Sequence, residues 1–388
     1  MAVTRVSVLG STGSIGRNTL DVIRHFQSGR DFEVIALTGM NNTDLLARQA
    51  IEFNAQIAVT ANQSQYNELK AALAGTGIEA AAGQEALVEA ATRQADWVMA
   101  GIVGIAGLEP TRAAIRNGST IALANKECLV CAGELFLAEC KQSGTELLPV
   151  DSEHNAIFQV FEERNREGIE RIILTASGGP FRIWTTEKMA AATPQIAASH
   201  PNWDMGVKIS IDSATMFNKA LEMIEARHLF AMPPEAIEVV VHPQSVIHSM
   251  VGYRDGSVLA QLGCPDMRTA IGYALAWPVR GHVPVERLDF TKLSRLDFES
   301  PDESRFPAIR LAREAMQAGG LAGAVLNGAK EAALDAFIEE RIGFLDIAKL
   351  VERTLENFDY SDYGQSIEAV IDADQRSRLM VHEAMAAV

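Results

Sequence analysis

The feature that most constrains how this chain can fold is a glycine-rich turn near its start. Residues 6–9 read as a short β-strand. They run into Gly10-Ser11-Thr12-Gly13-Ser14-Ile15-Gly16, and a helical pattern, Asn18-Thr19-Leu20-Asp21-Val22-Ile23, follows. A strand that feeds a glycine turn into a helix N-terminus makes a phosphate cradle, because bare backbone N–H groups and the positive end of the helix dipole face the same ligand. Glycines let the backbone approach a pyrophosphate and let helix and strand pack closely. The spacing is GxxGxxG rather than GxGxxG. The strand–turn–helix context therefore carries the dinucleotide reading against the plainer one of a structural turn.

The first 150 residues continue this alternation, with strands expected over 6–9, 33–37, 56–59, 97–100, 120–124 and 146–150 and helical stretches over 43–53, 84–93 and 110–117. That is the pattern of a parallel α/β sheet. The end of the second strand reports which dinucleotide binds: an acidic residue there suits NAD, and amide, hydroxyl or basic donors suit the 2′-phosphate of NADP. The segment is Thr38-Gly39-Met40-Asn41-Asn42-Thr43, with no carboxylate before Asp44, which favours NADP. Further strands are expected over 172–175 and 237–241, and helices over 308–318, 321–340, 345–357 and 367–385. Three regions are expected in all: a nucleotide domain over 1–150, a catalytic or connective domain over 151–281 with a flap at 199–207, and, after a linker over 282–302, a helical domain over 303–388.

Several segments carry chemistry. Asp151 and Glu153 follow the sixth strand, and an extended backbone would point both to one side. Two carboxylates with hydroxyls at the carboxyl end of a parallel sheet suit Mg²⁺ or Mn²⁺, and the alternative is a helix N-cap. The run from Asp212 to Glu222 reads as one helix that puts Asn218 and Glu222 on one face beside Lys219. These could hold a phosphorylated substrate and complete a metal site, or be an ordinary surface pair. Ser177-Gly178-Gly179 could offer amides and a hydroxyl to phosphate. His200 to Gly206 places Trp203 and Met205 on a loop able to act as a lid. Asn125, Lys126 and Glu127 end the fifth strand, where ligand groups collect. His248 sits near a later strand, where a single histidine is commonly structural.

Composition excludes other classes. There are 34 Lys+Arg against 50 Asp+Glu, a formal net charge of −16, which argues against a nucleic-acid binder. No apolar run reaches the roughly 18–20 residues of a membrane span, and the N-terminal residues lack a secretion-signal pattern. A soluble cytoplasmic protein is expected. Cys128 and Cys131 have CxxC spacing without a second pair or a histidine pair, so they are expected to be buried thiols rather than a metal or redox site.

Taken together, LGSTGSIG (9–16), ANKE (124–127), LLPVDSEHNAIFQ (147–159), ASGGPFR (176–182), HPNW with MG (200–206), KISIDSATMFNK (208–219), HPQSVIHSM (242–250) and PDMRT (265–269) resemble the 1-deoxy-D-xylulose 5-phosphate reductoisomerase family over almost the whole chain. The resemblance implies an oxidoreductase of non-mevalonate isoprenoid synthesis that rearranges 1-deoxy-D-xylulose 5-phosphate and reduces it with NADPH to 2-C-methyl-D-erythritol 4-phosphate. It implies Mg²⁺ or Mn²⁺, with Co²⁺ able to substitute, and three parts: a Rossmann-like NADP domain, a central α/β domain and a C-terminal helical bundle. The implied metal ligands are Asp151, Glu153 and Glu222. The implied substrate contacts are Lys126, Ser152, Glu153, Ser177, His200, Trp203, Ser213, Asn218, Lys219, Glu222 and His248, with Glu153, Lys219 and His200 implied as the catalytic residues. Cofactor contacts are implied at Thr12, Gly13, Ser14, Ile15, Gly39, Asn42, Asn125, Glu127, Met205 and Gly206. A homodimer is implied too.

The chain departs from the family pattern in three places. Asn41-Asn42 stands where relatives carry a basic residue before the Asn, Cys128 stands for Ser, and Asn327-Gly328-Ala329-Lys330-Glu331 replaces an NAANE run. The competing activity is a metal-assisted NADP-dependent hydroxy-acid dehydrogenase or decarboxylase, which needs arginines for a second carboxylate that the Ser/Asn-rich segments do not supply. A nucleotide sensor without catalysis would not need Asp151, Glu153, Lys219 and Glu222.

Overall fold

Short apolar runs separated by helices fold here into a parallel sheet, as their spacing requires. The computed structural model describes residues 3–27, 29–203, 205–361 and 366–386. Among them, β1 (Thr4–Leu9), β2 (Phe32–Gly39), β3 (Ile57–Thr60), β4 (Glu79–Ala82), β5 (Trp97–Ala100), β6 (Thr120–Leu123) and β7 (Leu147–Pro149) form one sheet in the order β4-β3-β2-β1-β5-β6-β7. Every neighbouring pair in it is parallel. Strand order reverses at β1, so the turn after β1 lies at the switch point where α/β sheets bind ligands. β4 was not expected. Its sequence, Glu-Ala-Ala-Ala, has low strand preference, and pairing with β3 overrides it.

The chain divides into two compact units, residues 1–128, 136–155 and 266–286 in the first and 129–135, 156–265 and 287–388 in the second. The seven-stranded sheet belongs to the first. In the second, β8 (Ile169–Ala176), β9 (Ile237–Val241), β10 (Ile247–Tyr253) and β11 (Val258–Leu262) form a sheet ordered β11-β10-β8-β9. β8 and β9 pair in parallel and the other pairs are antiparallel. Neither β10 nor β11 was expected; both are placed by pairing between residues distant in sequence.

Helices at Phe217–Phe230, Ala308–Ala318, Ala322–Ile338, Phe344–Asn357 and Ile367–Ala386 complete this unit. They share one apolar core with the sheet, including Leu174, Val251, Phe181, Phe217 and Phe337. Gly328 explains one departure from the family pattern: a Cβ there would stand 2.2 Å from Ser377 Oγ and 2.5 Å from the Asp374 carbonyl oxygen, so glycine permits close helix approach. Among the described residues no helix is long and apolar enough to cross a membrane.

Candidate functional site

In the first unit, the glycine turn is held from below by groups that its own motif does not reveal. The Gly10 N–H donates to Thr38 Oγ1 at 2.8 Å, and Ser11 donates to Gln49 Oε1 while Gln49 Nε2 donates back to the Ser11 carbonyl. Gln49 lies on the buried face of the helix Thr43–Glu52. A lone amide among Leu46, Ala47 and Ala50 was the available signal. Thr12 and Gly13 cross from β1 to the helix Ser14–Phe26, which begins with Ser14 and Ile15. A Cβ added at Gly13 would lie 3.4 Å from its nearest neighbour, whereas one at Gly16 would lie 2.3 Å away, so the first glycine opens a surface and the second closes a packing contact. Gly39 ends β2 against Thr12, where a Cβ would be 3.1 Å from the threonine side chain. Asn42 caps the next helix, accepting from the Leu45 N–H at 3.1 Å. This open, backbone-lined turn fits a dinucleotide phosphate.

The carboxyl ends of β6 and β7 supply the charged groups of this unit. Asn125 is almost wholly committed to local structure: its amide donates to the carbonyls of Ile102 and Gly104, and its oxygen accepts from Cys128 N–H at 3.0 Å. Lys126 meets Asp151 at 2.5 Å, and Glu127 is buried beside it at the start of the helix Glu127–Ser143. Burial opposes ionisation of Asp151, but the Lys126 ammonium at 2.5 Å, with the His154 ring nearby at 3.7 Å, outweighs it. The carboxyl is held well below the usual carboxylate range. Ser152 donates to Glu153 at 2.5 Å. Oxygens of Asp151 and Glu153 lie within 4.8 Å of each other. Two hard carboxylate donors so placed fit Mg²⁺, Mn²⁺ or Co²⁺.

Of the two expected readings of this segment, an extended backbone and a helix start, the structure has the helix start. Ser152–Val160 is helical, and the Asp151 carbonyl accepts from Asn155 N–H at 2.8 Å, so Asp151 precedes a first turn that carries Glu153. The two carboxylates meet through helix initiation, not through strand alternation. Cys128 and Cys131 are buried thiols on the helix Glu127–Ser143, as expected.

The second unit gathers the remaining candidates around β8 and two helices. After β8, Ser177 Oγ lies 2.9 Å from His200 Nε2 and accepts from the Gly179 N–H at 3.1 Å. His200 Nδ1 accepts from the Asn202 and Trp203 N–H groups at 3.1 and 3.0 Å, which leaves the ring proton on Nε2 and makes it a donor. Burial pushes the ring's pKa down to about 4, so this neutral form is the one present near neutrality. Asn202 ties the loop to the Pro243 carbonyl and Ser245 Oγ at 2.7 and 3.0 Å. Trp203 faces His248 with ring centroids 6.0 Å apart. Met205 is half-buried, Gly206 caps the helix Val207–Ala214, and Asp204 lies outside the described residues.

The run from Asp212 to Glu222 is not one helix. Val207–Ala214 ends at Thr215, and Met216 takes a left-handed φ of +65° before Phe217–Phe230 begins. Ser213 therefore lies in the last turn of the first helix, while Asn218, Lys219 and Glu222 share the first turns of the second. Asn218 Nδ2 and Lys219 Nζ both donate to the Glu222 carboxylate, and Lys219 and Glu222 are buried. The expected shared face of Asn218 and Glu222 is present.

Three family models match the chain: 1-deoxy-D-xylulose 5-phosphate reductoisomerase over residues 6–133, the C-terminal domain of that enzyme over 147–230, and DXP reductoisomerase C-terminal domain over 262–380. The chain is 64% identical over 375 residues to a 1-deoxy-D-xylulose 5-phosphate reductoisomerase of Sinorhizobium fredii, covering 97% of this chain and 96% of that one. It is 64% identical to the enzyme of the same name from Rhizobium meliloti, covering 96% of each. Among solved structures it is similar to the reductoisomerase from Zymomonas mobilis in complex with NADPH, with 55% identity, full coverage of both chains and a TM-score of 0.93. It is also similar to a DOX-P reductoisomerase in complex with NADPH, fosmidomycin and magnesium, with 41% identity, 99% and 98% coverage and a TM-score of 0.94.

Proposed function

The chain belongs to the 1-deoxy-D-xylulose 5-phosphate reductoisomerase family, and from this premise we propose how its residues divide the work. It is an NADPH-dependent oxidoreductase that converts 1-deoxy-D-xylulose 5-phosphate to 2-C-methyl-D-erythritol 4-phosphate with a divalent metal, a step of isoprenoid synthesis. The observation that best supports the assignment of roles is the Lys126-held, ionised Asp151 beside Glu153 in the unit that also carries the glycine cradle. A hydroxy-acid dehydrogenase or decarboxylase is set aside by family membership.

When bound, the metal supplies Lewis acidity at the substrate oxygens and NADPH supplies hydride. Asp151, Glu153 and Glu222 would hold the ion. Thr12, Gly13, Ser14 and Ile15 offer backbone donors to the dinucleotide phosphates, with Gly39, Asn42, Asn125, Glu127, Met205 and Gly206 as further cofactor contacts. Lys126 and Ser152 position the reacting end of the substrate beside the carboxylates, and Glu153 can move a proton there. Ser177, Ser213, Asn218 and Lys219 bind the phosphate, trading their internal partners for its oxygens. Neutral His200 donates through Nε2, and His248 and Trp203 wall the same region and exclude water. Residues 199–207 act as the flap. The functional parts are residues 1–150, 151–281 and 303–388, with 282–302 linking the second to the third. A homodimer is supported by β11, which lies at the edge of its sheet with Val258 and Leu259 exposed. The protein works in the cytoplasm.

Incubation with 1-deoxy-D-xylulose 5-phosphate, Mg²⁺ and NADPH should oxidise NADPH and yield the branched polyol phosphate, with activity lost in EDTA and regained on adding Mg²⁺. Full turnover in EDTA refutes the metal assignment.

A further inference from the structure

The helix Val207–Ala214 carries a carboxylate where a helix least favours one. Asp212 sits in its last turn, against the negative end of the dipole, and is only 8% exposed. The ammonium of Lys330, 2% exposed and in the middle of the helix Ala322–Ile338, meets it at 3.0 Å. Desolvating two charges offsets most of what such a pair returns, so a buried ion pair is a poor source of stability and a better means of fixing one arrangement.

What it fixes is Ser213, the next residue. The left-handed Met216 breaks the chain direction just beyond, so this helix does not run on into Phe217–Phe230, and the Met216 N–H turns back to donate to the Ser213 carbonyl at 3.1 Å. The Ser213 carbonyl oxygen lies 2.9 Å from where a Cβ on Gly179 would stand, so the helix end is packed on the Ser177-Gly178-Gly179 turn without slack. A second ion pair, Lys208 to Asp335 at 2.5 Å, joins the same two helices but is half-exposed and contributes little.

We infer that Lys330 is a positioning residue for the sugar phosphate: through Asp212 it sets Ser213 against the Ser177–Gly179 turn. This rests on the reading that Ser213 binds the substrate phosphate. The test is steady-state kinetics, with each substrate varied, and thermal unfolding for Lys330→Met, for the double variant Asp212→Asn with Lys330→Met, and for Ser213→Ala. Both pair variants should raise KM for 1-deoxy-D-xylulose 5-phosphate roughly tenfold, as a misplaced binding group does, with KM for NADPH unchanged. The double variant, freed of an uncompensated buried charge, should regain the parent unfolding temperature yet keep the raised KM. A double variant with parental KM, or with both KM values raised alike, overturns the inference. If Lys330→Met does not fold, the double variant decides by the same KM. A raised KM in Ser213→Ala with parental KM in the pair variants rejects the inference alone. An unchanged KM in Ser213→Ala rejects the phosphate assignment and the inference together.

Discussion

Replacing Gly16 by alanine separates the packing role of the glycine turn from its binding role. A Cβ at position 16 would stand 2.3 Å from the Gly10 carbonyl oxygen and 2.3 Å from Ser11 Cα. Favourable contact begins at about 3.5 Å, so the turn and helix must part by roughly 1 Å. Both obstructing groups are backbone, and no side-chain rotation relieves them. Overpacking of this kind costs about 1–3 kcal/mol, a factor of roughly five to 160 in an equilibrium constant. The strain falls on Gly10 and Ser11, which Thr38 and Gln49 anchor, so Gly16→Ala should lower both the unfolding temperature and the affinity for NADPH.

Gly13→Ala is the control. Its backbone φ of −74° suits any residue, and the nearest protein atom to the added methyl is 3.4 Å away. Stability should stay parental while the methyl occupies the cradle and weakens NADPH binding alone. Titration of NADPH fluorescence and thermal unfolding read the two effects separately. A Gly16→Ala protein with parental unfolding temperature and NADPH affinity refutes the packing argument. A Gly13→Ala protein that binds NADPH as tightly as the parent refutes the cradle.

Glu222→Gln keeps the shape and the acceptor for Asn218 but removes a charge, so Mg²⁺ affinity and kcat should fall together by tenfold or more (about 1.4 kcal/mol); metal titration of the variant's activity checks this, and an unchanged Mg²⁺ requirement counts against it. Stability should fall as pH drops from about 6.5 towards 4. Burial pushes His200, His228 and His248 down to about 4, so the unfolded chain takes up their protons first and stability is complete only above the ordinary histidine value. For the well-buried His248 the loss approaches about 3 kcal/mol, and urea midpoints measured across that interval should move downward with pH; flat midpoints contradict it.

Much of the fold is readable locally because its signals are local. Residues 97–100 and 237–241 are strands at the bounds expected from their apolar, β-branched or aromatic content, and 308–318 is the helix its composition predicts. β4, β10 and β11 are not so readable, since Glu79-Ala80-Ala81-Ala82 has no strand preference of its own and the other two exist through pairing with distant partners. The break at Met216 is invisible for a related reason: a left-handed methionine has no local signature and is imposed by its surroundings.

By itself, the sequence determined the glycine cradle, the parallel α/β character of the first region, the helical C-terminal region and the residue types able to hold a metal and a phosphate. These depend on spacing within a few residues. The tertiary structure decided that Asp151 and Glu153 meet by helix initiation and that His200 is a neutral donor to Ser177. It decided too that Gln49 clamps the turn and that Lys330 faces Asp212. Each of these depends on burial and on contacts between segments far apart in the chain, where the environment sets which charge, tautomer or rotamer a side chain adopts.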